Sequence, residues 1–297
     1  MQSFEDTERK KTVNKKLYFR TLLTSTAIML VLSFAIIIYC ATNFINIGGG
    51  SDIEELDKAQ PNSRQNIVVF GTDDSGLRSD TIMLFSISEK EENINVISIP
   101  RDLKVKIGGG FQKINTALAI GKESLAVQTV KDITGVPIHD YITVNFRAVK
   151  DVINALGGID FYVPQNMHYE DPYQDLYIHL NKGQQHLDGA KALQLLRFRS
   201  YPMADIQRTN VQRDFIQAVI DQKLTVANVG KIPEIYDAVS KNIRSSMSLA
   251  ELTQYATTVM GMKELKFNSF PCPYYLNGDF VQLDYEEATE IFNRNFK

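Results

Sequence analysis

Asp73, Asp74, Arg78 and Asp80 crowd into GTDDSGLRSDTIML (71–84), where a charged turn runs straight into an apolar segment. Aspartate carboxylates are hard oxygen donors, suited to Mg2+ or Mn2+ rather than Zn2+. Arginine offers a planar fork that matches phosphate oxygens. A second charged pair, Arg101 and Asp102, closes SIPRD (98–102). A third group lies in RFRSYPMADIQRTNVQR (197–213), which carries Arg197, Arg199, Arg208 and Gln212. If these segments converge, the chemistry is that of a cation and an anion held together. A plain salt-bridge network has the same composition, and only the excess of arginine over aspartate argues against it.

The elements around these residues decide whether they meet. NIVVF (66–70), TIMLFSIS (81–88) and INVISIP (94–100) read as strands, being short, apolar and β-branched. The polar turn EKEEN between the last two makes them an antiparallel hairpin. In such a pair the start of one strand lies beside the end of the other. Asp80, which starts the first strand, therefore meets Arg101, which follows the second. The loop from Gly71 back to Asp80 is short, so Asp73 and Arg78 stay at the same rim.

Downstream, KINTALAI and ESLAVQTVKDIT have helical patterns that end at Gly135. YITVNF reads as a strand, and FRAVKDVINAL as a helix stopped by Gly157 and Gly158. IDFYVP is a strand, and Asp188 is an N-cap for GAKALQLLRFR. Arg197 and Arg199 flank Phe198, so an extended chain points both the same way. Arg208 and Gln212 are spaced i, i+4 on a long amphipathic helix whose apolar face continues through Phe215 and Val219. Arg213 falls on a different, solvated side of that helix. The last quarter adds helices near 231–240 and 248–260, strands near 265–270 and 280–283, and a terminal helix. Strands alternating with helices, with one hairpin among them, make a mixed α/β sandwich.

The amino end is of another kind. Residues 9–20 hold six cationic side chains and no acid, and residues 21–45 hold no charge at all. That apolar run exceeds the roughly 20 residues a membrane helix needs. Acidic residues follow at Asp52, Glu54, Glu55 and Asp57, so the basic end is expected in the cytosol and the rest outside. The expected organisation is a cytoplasmic basic tail (1–20), a transmembrane helix (21–45), a linker (46–64) and an extracellular domain (65–297) with its motifs at 65–220. An uncleaved anchor fits better than a signal peptide, because the run is long and no A-x-A-like site follows it.

Composition removes other classes. The 297 residues carry a net charge of −3, with no overall basic excess for nucleic acid. Cys40 and Cys272 are the two cysteines, with no CxxC and no Cys/His cluster for zinc. GGGFQKIN (108–115) lacks the G-x-x-x-x-G-K-[ST] pattern of a phosphate loop, although Lys113 can face the rim. No G-x-S-x-G elbow is present.

Taken in order, GTDDSGLRSDTIML, VISIPRD, KIN, DYITVNF, ALGGIDFYVP, HLDGAKALQLLRFR and DIQR with a following Gln resemble the LytR-CpsA-Psr family. The resemblance implies an α/β/α sandwich with a mixed central sheet and a long apolar pocket, behind one N-terminal transmembrane helix. It also implies an Mg2+-dependent phosphotransferase anchored in the membrane of a Gram-positive bacterium. Such an enzyme moves a glycopolymer, a teichoic acid or capsular polysaccharide, from a polyprenyl pyrophosphate carrier onto peptidoglycan. Carried over by position, Asp73 and Asp80 match the magnesium ligands. Arg78, Arg101, Arg197, Arg199 and Arg208 match the arginines around the pyrophosphate, with Gln212 and Lys113 as further polar residues of that site. The implied catalytic group is Arg78, Arg101 and Asp80. The chain departs from the family at Gln207, where glycine is usual, and at Val211, where arginine is usual. A polyprenyl-phosphate-binding regulatory module and a polyprenyl-pyrophosphate pyrophosphatase are the alternatives.

Overall fold

The computed structural model describes residues 53–60, 63–72, 76–174, 176–202, 204–225, 228, 230–278 and 280–297. The expected membrane segment at 21–45, Asp73 and Asp74 lie outside the described residues. Among the described residues no helix is long and apolar enough to cross a membrane.

Six strands form the central sheet. β1 (Gln65–Thr72), β2 (Ser79–Ser88) and β3 (Asn93–Ile99) are the three segments expected from their apolar, β-branched runs. β1 and β2 are antiparallel, as are β2 and β3. β6 (Asp140–Asn145) pairs parallel with β1, and β12 (Lys266–Phe270) pairs parallel with β3. β11 (Ile243–Ser245) closes the edge antiparallel to β6, giving the order β11-β6-β1-β2-β3-β12. The sheet is mixed, as the sequence pattern suggests.

Both faces of the sheet are covered, because its central strands are apolar on both alternating sets of residues. On one face Val68, Phe70, Ile82, Leu84, Ile97 and Ile99 pack against α1 (Ala117–Thr134) and α7 (Tyr285–Asn295), through Val127, Val130, Ala288 and Phe292. On the other, Phe85, Ile87 and Ile94 meet Val259 of α6 (Leu249–Gly261) and Ile220 of α4 (Ala204–Lys223). α1 is interrupted at Gly121 and Lys122, where the sequence showed two separate helical runs.

A second, smaller core sits beside the sheet. α2 (Phe146–Ala155), β7 (Ile159–Val163), the hairpin β8 (Met167–Asp171) with β9 (Leu176–Leu180), β10 (Gly183–Leu187) and α3 (Gly189–Arg197) enclose it. Val211 and Phe215 of α4 complete it, with Phe215 edge-on to Phe161 at 5.5 Å. α2 ends at Gly157 and Gly158, both with positive φ, as the sequence suggests. α3 begins with the expected Asp188 cap, whose carboxylate accepts from Lys191 N. A Cβ at Gly189 would stand 2.1 Å from Lys150 O, so glycine lets α3 press against α2.

The segment around the glycine triplet differs from its sequence reading. It is the turn of a hairpin, β4 (Lys104–Ile107) with β5 (Gly110–Lys113), and Gly108 and Gly109 adopt positive φ there. Lys113 therefore ends a strand rather than starting a helix. β13 (Tyr274–Asn277) and β14 (Phe280–Leu283) form another hairpin near the carboxyl end.

Candidate anion site

The carboxyl ends of β1, β3, β6 and β12 and the start of β2 all lie at one edge of the sheet, as the register requires. Ligands in open α/β sheets bind outside the carboxyl ends of strands. The charged residues assemble there. Arg101 donates from Nη1 to Asp80 Oδ1 at 2.7 Å, the contact expected from the hairpin. Arg199 reaches the same carboxylate across a separation of 119 residues, from Nη2 to Oδ2 at 3.2 Å. Asp80 thus clasps one arginine with each oxygen, joining the sheet to the smaller core.

Two cavities flank this clasp and share Asp80, Thr81, Arg208 and Gln212 as walls. One, of about 370 Å³, is lined by Arg197 and Arg199 and by the apolar side chains Phe146, Tyr169, Leu176 and Leu196. The other, of about 190 Å³, has Arg101, Arg213, Phe270, Cys272 and Tyr274 in its wall. Among the described residues, five arginines and one carboxylate line the two spaces. Among the described lining residues positive charge exceeds negative, with Asp80 beside two of the arginines and Arg213 paired with Asp214 at 2.7 Å.

Neighbouring side chains place several of these residues. Arg197 lies over the Phe146 ring at 4.7 Å, a cation–π contact that presents its edge to the cavity. Buried Phe198 separates Arg197 from Arg199, and both arginines line the same cavity, although Arg197 ends the helix rather than lying in the extended stretch that the spacing argument assumed. Gln212 Nε2 donates to Leu196 O at 3.2 Å, joining α4 to the last turn of α3. Arg208 and Gln212 share one helix face, while Phe215 below them is buried. Tyr201 packs edge-on to Phe198 at 4.8 Å. Burial pushes its hydroxyl up to about 12, and the nearby Arg208 charge draws it back in part.

Other expected site residues are not brought to the cavities. Arg78 is exposed and lines neither. Lys113 forms a salt bridge to Asp102 at 2.9 Å, and Asp102 also lies 3.7 Å from Arg101 Nε, so Lys113 stands behind Arg101. Arg213, expected on a solvated side, contributes to the wall of the smaller cavity. Phe146, Tyr169, Leu176 and Tyr274 were not singled out by sequence reasoning. Phe146 was within its reach, since it directly follows a strand that ends at the same sheet edge.

Among the described residues no group of three or more His, Cys, Asp or Glu side chains is placed to hold a metal ion. Asp80 supplies the hard oxygen type that Mg2+ takes, and Mg2+ sites of this kind use one or two carboxylates completed by water and substrate phosphate. Both oxygens of Asp80 are engaged by arginines, so a cation there would share this carboxylate with Arg101 and Arg199.

Fold and site together define a class: an α/β/α sandwich with an arginine-lined cleft at the carboxyl ends of its strands. The LytR_cpsA_psr family matches residues 43–297, and the chain belongs to that family. It is 33% identical over 205 residues to the polyisoprenyl-teichoic acid–peptidoglycan teichoic acid transferase TagU of Bacillus cereus, covering 67% of this chain and 64% of TagU. It is 33% identical over 180 residues to the corresponding transferase TagV of Bacillus subtilis, covering 59% of this chain and 46% of TagV. The chain thus spans about half to two thirds of the length of these relatives. The crystal structure of B. subtilis TagV superposes with a TM-score of 0.65 at 27% identity, covering 79% of this chain and 98% of that one. TagT bound to LIIa-WTA superposes with a TM-score of 0.66 at 25% identity, covering 80% and 92%.

Proposed function

We propose that this chain is a membrane-anchored phosphotransferase that moves a glycopolymer of the teichoic acid class from a polyprenyl pyrophosphate carrier onto peptidoglycan. The observation that carries the reading is the arginine excess around Asp80, at the sheet edge where its strands end. Family membership and relatives named as teichoic acid transferases support the substrate class. A pyrophosphate brings negative charge that the arginines lining the cleft can hold.

In this reading the acceptor hydroxyl attacks the phosphorus nearer the glycan. A new phosphodiester forms as the phosphorus–oxygen bond to the lipid phosphate breaks. The lipid departs as polyprenyl monophosphate, and the hydroxyl proton leaves to a base. Arg101, Arg197, Arg199 and Arg208 hold the phosphate oxygens and offset the charge that gathers on them, which is most of what phosphoryl transfer requires of a protein. Phe146, Tyr169, Leu176 and Leu196 form an apolar wall where the first isoprene units can lie. Asp80 and Asp73 would hold Mg2+, which supplies charge neutralisation on the pyrophosphate. Asp102 is engaged by Lys113 and Arg101, and this favours an electrostatic role over that of base. Residues 21–45 would anchor the chain, with residues 1–20 in the cytosol and the domain outside.

The test is to supply the full-length protein, in detergent or vesicles, with a lipid-linked teichoic acid and peptidoglycan. Polymer joined to peptidoglycan, with release of polyprenyl monophosphate, is the expected outcome. Monophosphate released at the same rate without an acceptor would indicate a pyrophosphatase. Binding of the lipid with no product would indicate a regulatory module.

A further inference from the structure

On the outer face of the β8–β9 hairpin, His168 and His179 stand directly opposite each other in the register. Their Nδ1 atoms are 3.1 Å apart. The Nε2 atom of His179 lies 3.2 Å from Glu170 Oε1, so a carboxylate stands beside the far nitrogen of that ring. With its proton on Nε2, beside that carboxylate, His179 has its lone pair on Nδ1, the atom that faces His168. A carboxylate holding the far nitrogen of a histidine is the arrangement that orients imidazole for a metal.

The dimensions agree. Two nitrogens bound at about 2.0–2.1 Å to a tetrahedral ion stand roughly 3.3 Å apart. The backbone beneath is held in place. Met167, Ile178 and Leu180, on the opposite face of the hairpin, are fully buried, and His179 N donates to Gln194 Oε1 of α3 at 2.9 Å. None of these groups lies in the arginine cleft, but Tyr169 and Leu176 of the same hairpin line its apolar wall.

We propose that His168 and His179 form a surface site for a late first-row divalent cation, Zn2+ or Cu2+. Glu170 acts there as the positioning residue and water completes the coordination. As the ion enters, the proton on His168 Nδ1 passes through water to Nε2 of the same ring, so that both neutral imidazoles offer an Nδ1 lone pair to the metal. Imidazole donors select such ions over Mg2+, so the site is chemically separate from Asp80. The ion would clip together the two strands that hold Tyr169 and Leu176 against the cleft.

Tag-free full-length protein in detergent, titrated calorimetrically with Zn2+ and followed with Cu2+ by electron paramagnetic resonance, tests this. One ion per chain is expected, with two nitrogen donors in the copper spectrum and no competition from excess Mg2+. His168→Ala or His179→Ala should each weaken binding at least about 10-fold, and Glu170→Gln about 10-fold with the two-nitrogen signature kept. Since all three side chains are exposed, the variants should fold, which circular dichroism checks. No saturable binding to the wild type, or unchanged binding in both histidine variants, would overturn the proposal.

Discussion

Asp80→Asn separates the two things the Asp80 carboxylate can do. The substitution keeps size and one acceptor oxygen but removes the charge that holds Arg101 at 2.7 Å and Arg199 at 3.2 Å. Hydrogen bonds to charged groups contribute about 1.5–3 kcal/mol each. The Asp80 side chain is 29% exposed, and solvent reduces each contact to about 1 kcal/mol. Loss of both ion pairs should therefore cost about 1–2 kcal/mol, a fall in Tm of roughly 2–4 °C per kcal/mol for a domain of this size. Domains are stable by about 5–15 kcal/mol, so the variant stays folded. Catalysis should suffer far more. Removing one preorganised electrostatic contact from a transition state costs about 10²–10³-fold in rate. The assay is polymer transfer at saturating lipid-linked donor, beside a thermal melt of the same preparation. A variant that loses stability yet transfers within about 3-fold of the wild type would refute a catalytic role, for 3-fold is under 1 kcal/mol of barrier. Asp80 would then serve only to restrain two arginines.

Arg197→Lys keeps the charge but loses the planar face over Phe146, so pyrophosphate-lipid binding should weaken by about 10-fold, read by a donor titration of the initial rate. Phe215→Ala empties part of the smaller core and should cost about 3–5 kcal/mol in a urea melt, with Arg197 and Arg199 displaced and transfer lost with it. Tyr201→Phe removes a buried hydroxyl that has no hydrogen-bond partner among the described residues, and should raise stability by about 1 kcal/mol, seen as a higher Tm. His139 is held below its usual 6.5 by burial, while its Nδ1 accepts from Asn66 N. Its folded form resists protonation, so the unfolded chain binds the proton first and stability falls as pH drops through 6.5. Urea midpoints from pH 7.5 to 5 should show this slope in the wild type and lose it in His139→Asn.

The meeting of Asp80 with Arg101 was legible because it needs only strand direction, which apolar runs and a polar turn reveal. The pairing of Arg208 with Gln212 was legible from helical spacing. Arg78 and Lys113 show where such reasoning stops. Proximity in the chain brought Arg78 to the rim but did not say which way it points, and it is exposed. Lys113 belongs to a hairpin whose inward side is carried by Val105 and Ile107 alone, too few residues to reveal a strand against the glycines beside them. The β8–β9 hairpin was equally hidden, since its outward residues are His168, Glu170, Tyr177 and His179 and its buried ones are few. That hairpin supplies Tyr169 and Leu176 to the cleft, so the apolar wall escaped notice with it.

The central claim is that the arginine cleft transfers a phosphoryl-linked polymer. The most direct test is to incubate the full-length protein with a donor labelled at the phosphorus nearer the glycan, together with peptidoglycan, and to locate the label. The account predicts label in a phosphodiester on peptidoglycan, unlabelled polyprenyl monophosphate, and loss of both in Arg199→Ala. Label that stays with the lipid, or reaches peptidoglycan equally well in Arg199→Ala, would contradict it.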